Sequence, residues 1–318
     1  MDILLRFCRG MGVRWGVWWF LALAGSAAER GLVKFAAADG RWQGFLDRCV
    51  ASELARTRTN VLKADQLSVS LVDLSPEPAV AGYRAGEPIY PASVVKLFYL
   101  AATHQWLEEG RLRDSPELRR ALHDMIVDSY NEATHYVVDV LTGTTSGPEL
   151  TPDGLHAWWD QRNAVNRWYA SLGYPTAINV NKKPWCEGPY GREKQAIDAF
   201  QPSRNLLTTA ATARLFSEIA LDGMVTPERC RQMRELLQRD PWAPPTPEDQ
   251  ITGFIANGLP RGAKLWSKAG WTSQTRHDSA LIELPGGRRL VLVIFTTGHA
   301  HEEDILPGLT RSILEGLP

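Results

Sequence analysis

Cysteine is scarce in this chain, with four among 318 residues. Cys8 lies near the N-terminus, and Cys49, Cys186 and Cys230 form an odd set at wide spacing. That excludes a small disulfide-stapled scaffold, although one pair could still form in an exported chain. Charge of one sign is also lacking: 35 Lys plus Arg face 36 Asp plus Glu, a formal net charge of −1. No basic stripe is present, so a nucleic-acid partner is not expected. The seven histidines are scattered. Only "GHAHEED" brings two together, His299 and His301, and it reads as a solvated loop rather than a metal site. No metal and no organic cofactor is implied. Internal repeats are missing too, which excludes a solenoid.

Long apolar runs are absent except at the start. "MDILLRFCRGMGVR" carries Arg6, Arg9 and Arg14 ahead of the apolar "WGVWWFLALAG", and "GSAAER" supplies small residues. This predicts a signal peptide over residues 1–28, cut after Ala28, with an uncleaved anchor as the alternative. The mature chain, 29–318, is then periplasmic or secreted, with no membrane span. A monomer acting on a small molecule is expected.

What remains is 44% hydrophobic, ample for a sizeable core. "RWQGFLDRCVASELAR" has helical periodicity, and "QLSVSLVDL" and "AVAGY" read as strands. A helical middle follows. Its helices open at Ser93, Ser115, Asn131 and Thr151, the last running to Gly173. An irregular stretch of about 30 residues, Tyr174 to Asn205, precedes two more helices; loops of that length are usually functional or disordered. The chain then returns to strands in "AKLWSKAGWT", "DSALIEL" and "RRLVLVIFTT", and closes with a helix interrupted near Pro307. Strands at both ends around a helical middle predict an α+β fold. One antiparallel sheet (29–92 and 255–318), flanked by terminal helices, faces an all-helical lobe (93–254). A site is expected in the cleft between them. The aromatics Trp158, Trp159, Trp168 and Tyr169 read as lobe packing.

Within "YPASVVKLFYLAA", Ser93 and Lys96 share one helical face. A serine at a helix N-terminus sits near free N–H groups and a positive dipole end, which suits a nucleophile and its oxyanion. A buried lysine beside it could accept a proton. Alone the pair also reads as a helix cap beside a charge. Two further motifs follow in order: "SYN" at Ser129, Tyr130 and Asn131, and "KAG" at Lys268, Ala269 and Gly270.

This ordered set, S-x-x-K, S-x-N and K-x-G, resembles that of the class A β-lactamases and their penicillin-binding relatives. The resemblance covers nearly the whole mature chain and implies the β-lactamase/transpeptidase-like fold. It implies Ser93 as the acylated nucleophile, Lys96 as its activator and Ser129 as the proton relay to the leaving nitrogen. Asn131 and Lys268 would bind substrate, and the N–H groups of Ser93 and Trp271 would form the oxyanion hole. The expected reaction is acylation of Ser93 by a β-lactam or related amide, then hydrolysis. A D,D-peptidase or penicillin-binding protein, an esterase, and a non-hydrolytic binder of cell-wall fragments stay open.

The chain departs from the family in three places. Tyr130 replaces an aspartate. Ala269 replaces a hydroxyl residue that helps hold the substrate carboxylate, a role left to Thr272, Ser273 or Arg276. The 36 positions from Ser93 to Ser129 are fewer than usual, implying a trimmed cleft wall. The family's deacylating glutamate has two candidates, Glu187 and Glu193, with Glu193 nearest by alignment from Asn205. His277 and Asp278 are read as a strand pair rather than part of a triad.

Overall fold

The run "LVLVIF" has no polar alternation because both of its faces are covered. The computed structural model describes residues 40–56, 61–76, 78–185, 188–246 and 249–318. In it, Leu290, Leu292 and Ile294 enter one hydrophobic cluster, and Val291, Val293 and Phe295 enter another. A strand with period-two side chains between two cores reads as one continuous apolar run. The expected signal peptide, Cys186 and Glu187 lie outside the described residues.

The elements follow in chain order. Helix α1 (Gly40–Arg56) precedes strands β1 (Leu67–Asp73) and β2 (Ala79–Tyr83). The middle holds α2 (Val95–Glu108), α3 (Pro116–Ile126), α4 (Asn131–Thr142), α5 (Pro152–Arg162), α6 (Ala164–Ser171), α7 (Gly191–Ala199), α8 (Thr209–Ala220) and α9 (Pro227–Leu237). Then come β3 (Gln238–Arg239), β4 (Lys264–Trp271), β5 (Thr275–Glu283), β6 (Arg289–Thr297) and α10 (Ile305–Glu315). The sheet has the order β2-β1-β6-β5-β4-β3 and is antiparallel throughout. Phe45, Leu46 and Val50 of α1 and Ile305, Leu309 and Ile313 of α10 pack in the cluster on one face. Leu215, Phe216 and Ile219 of α8 and Leu97, Phe98 and Ala101 of α2 belong to the cluster on the other. The expected architecture is present: a sheet from both termini, terminal helices on one side and a helical lobe on the other. No described helix is long and apolar enough to cross a membrane.

Local details differ from the sequence reading. The helix expected from Thr151 to Gly173 breaks at Asn163, whose side-chain amide donates to Trp159 O at 2.8 Å and competes with the helix ladder. The stretch 174–205 contains α7. Strand β3 joins the sheet from within the middle segment. Pro307 sits in the first turn of α10, where no N–H is needed, and does not interrupt it. His299 is not solvated: it is 1% exposed and contacts Gln66 Oε1 at 3.0 Å. Cys49 and Cys230 are separate, buried free thiols, so they do not pair with each other. The aromatics pack as expected; Tyr169 is fully buried, its ring 5.0 Å from that of Phe98.

Candidate active site

Ser93 lies on a short 3-10 turn, Ala92–Val94, and α2 begins only at Val95. The turn is held under strain. Ala92 takes φ 47°, a left-handed value that costs a non-glycine residue about 1 kcal/mol or more. His277 braces it from β5. Its Nδ1 accepts from Thr296 N at 3.1 Å, so Nε2 carries the proton and donates to Tyr90 O at 2.9 Å. Burial lowers His277 to about 4, which keeps this tautomer neutral. Asp278 points to the opposite face, as the alternation of a strand requires, and accepts from Ile255 N at 3.1 Å. The two are a strand pair, as read from the sequence.

Gly270 of β4 is where the sheet meets this turn. A Cβ there would lie 2.7 Å from Ser93 N, 2.8 Å from Val94 N and 2.9 Å from Pro91 O. All three are backbone atoms, so nothing can swing aside. Gly270→Ala is therefore expected to push β4 and the Ser93 turn apart. The acylation of Ser93 that the family resemblance implies should fall at least about tenfold, while stability falls by only about 1–3 kcal/mol. Paired acylation and urea-unfolding measurements check this; unchanged acylation would show that the close approach does not matter.

The same strand supplies a second donor beside Ser93. Thr272 N donates to Thr275 O at 2.9 Å, so these residues form a hydrogen-bonded pair across β4 and β5. Antiparallel pairs alternate, so Trp271 opposite Arg276 is a non-hydrogen-bonded pair. The Trp271 N–H thus points away from β5. Strand β3 pairs only with Leu265 and Trp266 of β4, so it does not cover that side of Trp271.

Lys96, fully buried on the first turn of α2, donates to the Ser129 carbonyl, to Ser129 Oγ at 3.2 Å and to Asn131 Oδ1 at 2.9 Å. Ser129 takes φ 61° just before α4, and this kink turns its hydroxyl inward. Tyr130 between them is 50% exposed, so the departure at the middle of S-x-N leaves this contact set intact. Lys268 arrives from β4, fully buried, with Nζ 3.0 Å from Ser129 Oγ and 2.8 Å from Ala269 O. Burial first, then the charges of Lys96 and Arg239, pushes Lys268 well below the usual lysine range. One serine hydroxyl therefore lies between two lysines. Its oxygen has two acceptor lobes, and both are taken, so its own proton is left to point elsewhere.

Gln250 was not singled out from the sequence. Its Nε2 donates to Ile126 O at 3.1 Å and Val127 O at 2.8 Å at the end of α3. Its Oε1 accepts from Lys268 Nζ and from Ala269 N at 3.3 Å. It ties the K-x-G strand to the helix end that precedes Ser129. Nothing in the Pro-rich "DPWAPPTPEDQ" signals that role.

A cleft of about 660 Å³ opens in front of Ser93. Asn131, Trp185, Trp271 and the turn Thr272–Thr275 line it. Thr272 caps that turn: its Oγ1 accepts from Gln274 N at 3.1 Å and Thr275 N at 3.2 Å. Arg276 does not take over the missing hydroxyl's role. Its guanidinium is held by Ala300 O at 2.9 Å, Thr252 O at 3.3 Å and Glu303 at 3.1 Å, over the Phe254 ring.

Glu193 is not brought to this group. It is 4% exposed and held by Arg162 at 2.7 and 3.1 Å, Ser146 Oγ at 3.1 Å and Lys183 at 3.4 Å. Burial alone would raise its carboxyl, but Arg162 overrides that and holds it below the usual value. Asp139, in the same ion-pair cluster, lies two turns along α4 from Asn131, about 12 Å away.

A family model described as "Beta-lactamase enzyme family" matches residues 53–315. No curated protein sequence matches the chain. Solved structures do. A β-lactamase from Sphaerobacter thermophilus gives a TM-score of 0.60 at 19% identity, over 86% of this chain and 96% of that one. An ancestral class A β-lactamase of Gram-negative bacteria gives 0.61 at 17% identity, over 86% and 100%. A structure of PBP-A gives 0.59 at 16% identity, over 86% and 95%. At such identities the structural likeness speaks for the fold alone.

Proposed function

The chain belongs to the beta-lactamase enzyme family, and we propose that it is an exported serine hydrolase of the class A type that takes a β-lactam or related amide. The observation that carries this is the hydroxyl of Ser129, gripped by Lys96 and Lys268 beside the cleft of Ser93. Ser93 Oγ attacks the amide carbonyl and passes its proton to Lys96, which takes this role as the neutral amine, with a free lone pair. The N–H groups of Ser93 and Trp271 receive the oxyanion. The C–N bond then breaks as Ser129 gives its proton to the leaving nitrogen and regains one from Lys96. Water finally cleaves the ester and frees Ser93.

The geometry favours an ion-pair role for Glu193 over that of deacylating base. Glu187, the other candidate, follows the cleft residue Trp185 by two positions. Ala269 and the committed Arg276 favour a second reading, a D,D-peptidase, penicillin-binding protein or esterase whose substrate carboxylate is held otherwise.

The test uses a fluorescent penicillin and a chromogenic cephalosporin. Turnover is expected in the unchanged protein and in Glu193→Gln, and neither turnover nor label in Ser93→Ala. Glu187→Gln should accumulate labelled protein. Stable labelling of the unchanged protein without turnover supports the second reading. No labelling and no hydrolysis would sink the β-lactam claim.

A further inference from the structure

Among the described residues lining the cleft, a single one carries a formal charge, Arg204. It is exposed, makes no ion pair among the described residues, and sits over the Tyr90 ring, its guanidinium carbon 4.0 Å from the centroid. Stacking holds the plane of the group while leaving its N–H edge open to a ligand. Among the described residues no carboxylate lines the cleft with it.

Its position indicates which part of a substrate it meets. Ser129 and Lys268 are not among the residues lining this space, although Ser93 and Asn131 are. The space runs instead past Trp271 to Thr275, Thr297 and Gly298. The leaving nitrogen belongs beside Ser129, so this space receives the acyl part. That assignment rests on the acyl-transfer reading above. Lys268 is a separate amine at the leaving-group end, buried behind Ser129.

We infer that the cleft is built for amides whose acyl part carries a carboxylate, and that Arg204 on its Tyr90 platform binds that carboxylate. Tyr90, Trp185 and Trp271 give the acyl body apolar and aromatic surface. The anion meets the one formal charge among the described residues that line the cleft. A charge-assisted hydrogen bond to a guanidinium is worth about tenfold to a hundredfold in affinity.

The experiment compares benzylpenicillin with its α-carboxy analogue, which differs only by a carboxylate on the acyl side chain. The unchanged protein should acylate faster with the carboxylated compound. Arg204→Met should cost that compound about tenfold or more and leave benzylpenicillin within twofold, while Arg204→Lys should keep part of the preference. Equal losses for both compounds, or no loss for either, would overturn the inference. Binding of both intact compounds to Ser93→Ala, read by Trp185 and Trp271 fluorescence, separates the two claims. If neither compound labels Ser93, the acylation reading fails; the anion site still stands if Ser93→Ala prefers the carboxylated compound and Arg204→Met removes that preference. Equal binding of the two compounds by Ser93→Ala would end it.

Discussion

On the proposed mechanism, Lys96→Ala is expected to slow acylation of Ser93 by about a thousandfold, to be read by stopped-flow labelling with a chromogenic cephalosporin. The figure follows from the position of the amine. Lys96 contacts Ser129 Oγ, the Ser129 carbonyl and Asn131 at once, which places it to resupply Ser129, and the proposed mechanism also gives it the Ser93 proton. Ser129→Ala interrupts the same proton path one step later. The two changes therefore act on one unit, and the double variant should be far less impaired than the product of the single effects. A loss below tenfold for Lys96→Ala, in protein that melts like the parent, would show that Lys96 is structural and that another group takes the proton. The melting control matters because the change leaves Asn131 Oδ1 and the Ser129 carbonyl without this buried donor.

Most of the framework was legible because it rests on local chemistry. The apolar alternation of β1, the Ser-Pro and Thr-Pro starts of α3, α5 and α9, and the Pro-Gly-Gly turn between β5 and β6 are short-range signals. The candidate site was legible for a different reason: three short motifs in a fixed order point to chemistry that no one of them points to alone. What stayed hidden was long-range and polar. Gln250 reaches across more than 120 positions to Ile126 and Val127, and neither periodicity nor composition encodes such a contact. Nor could sequence show that Arg276 is turned into a pocket of carbonyls while Arg204 faces the cleft. Both are arginines in polar surroundings, and only tertiary packing decides which guanidinium is occupied. The surroundings of Glu193 were hidden for the same reason. Its place in the chain suggested a base, but Arg162 comes from another helix to claim it.

Arg162→Met is expected to lower stability by about 3–5 kcal/mol, the largest structural effect among these substitutions. Arg162 is fully buried, with Nε 2.8 Å from Thr144 Oγ1, both terminal nitrogens on Glu193 and its carbon 4.4 Å from the Trp158 ring centroid. Methionine can fill much of the volume and keep contact with the indole. It cannot compensate the Glu193 carboxylate, which would keep only Lys183 and Ser146. The cost is thus mainly that of a buried charge stripped of its principal partner. Two consequences separate this from a simple packing defect. Glu193→Gln added to Arg162→Met should recover part of the loss, because a neutral amide needs no counter-ion. The deficit should also depend on pH. In the parent, the Glu193 carboxyl is held below 4.5, so it contributes stability above that pH and loses it as pH falls through the lower folded value. In the variant, burial acts without Arg162 and raises the carboxyl, so ionised Glu193 becomes a liability that protonation relieves. The gap between parent and variant, from urea unfolding at fixed pH, should be widest near neutrality and narrow toward pH 4. A gap that stays constant over that range would mean that Arg162 stabilises the lobe by packing on Trp158 and not by neutralising Glu193.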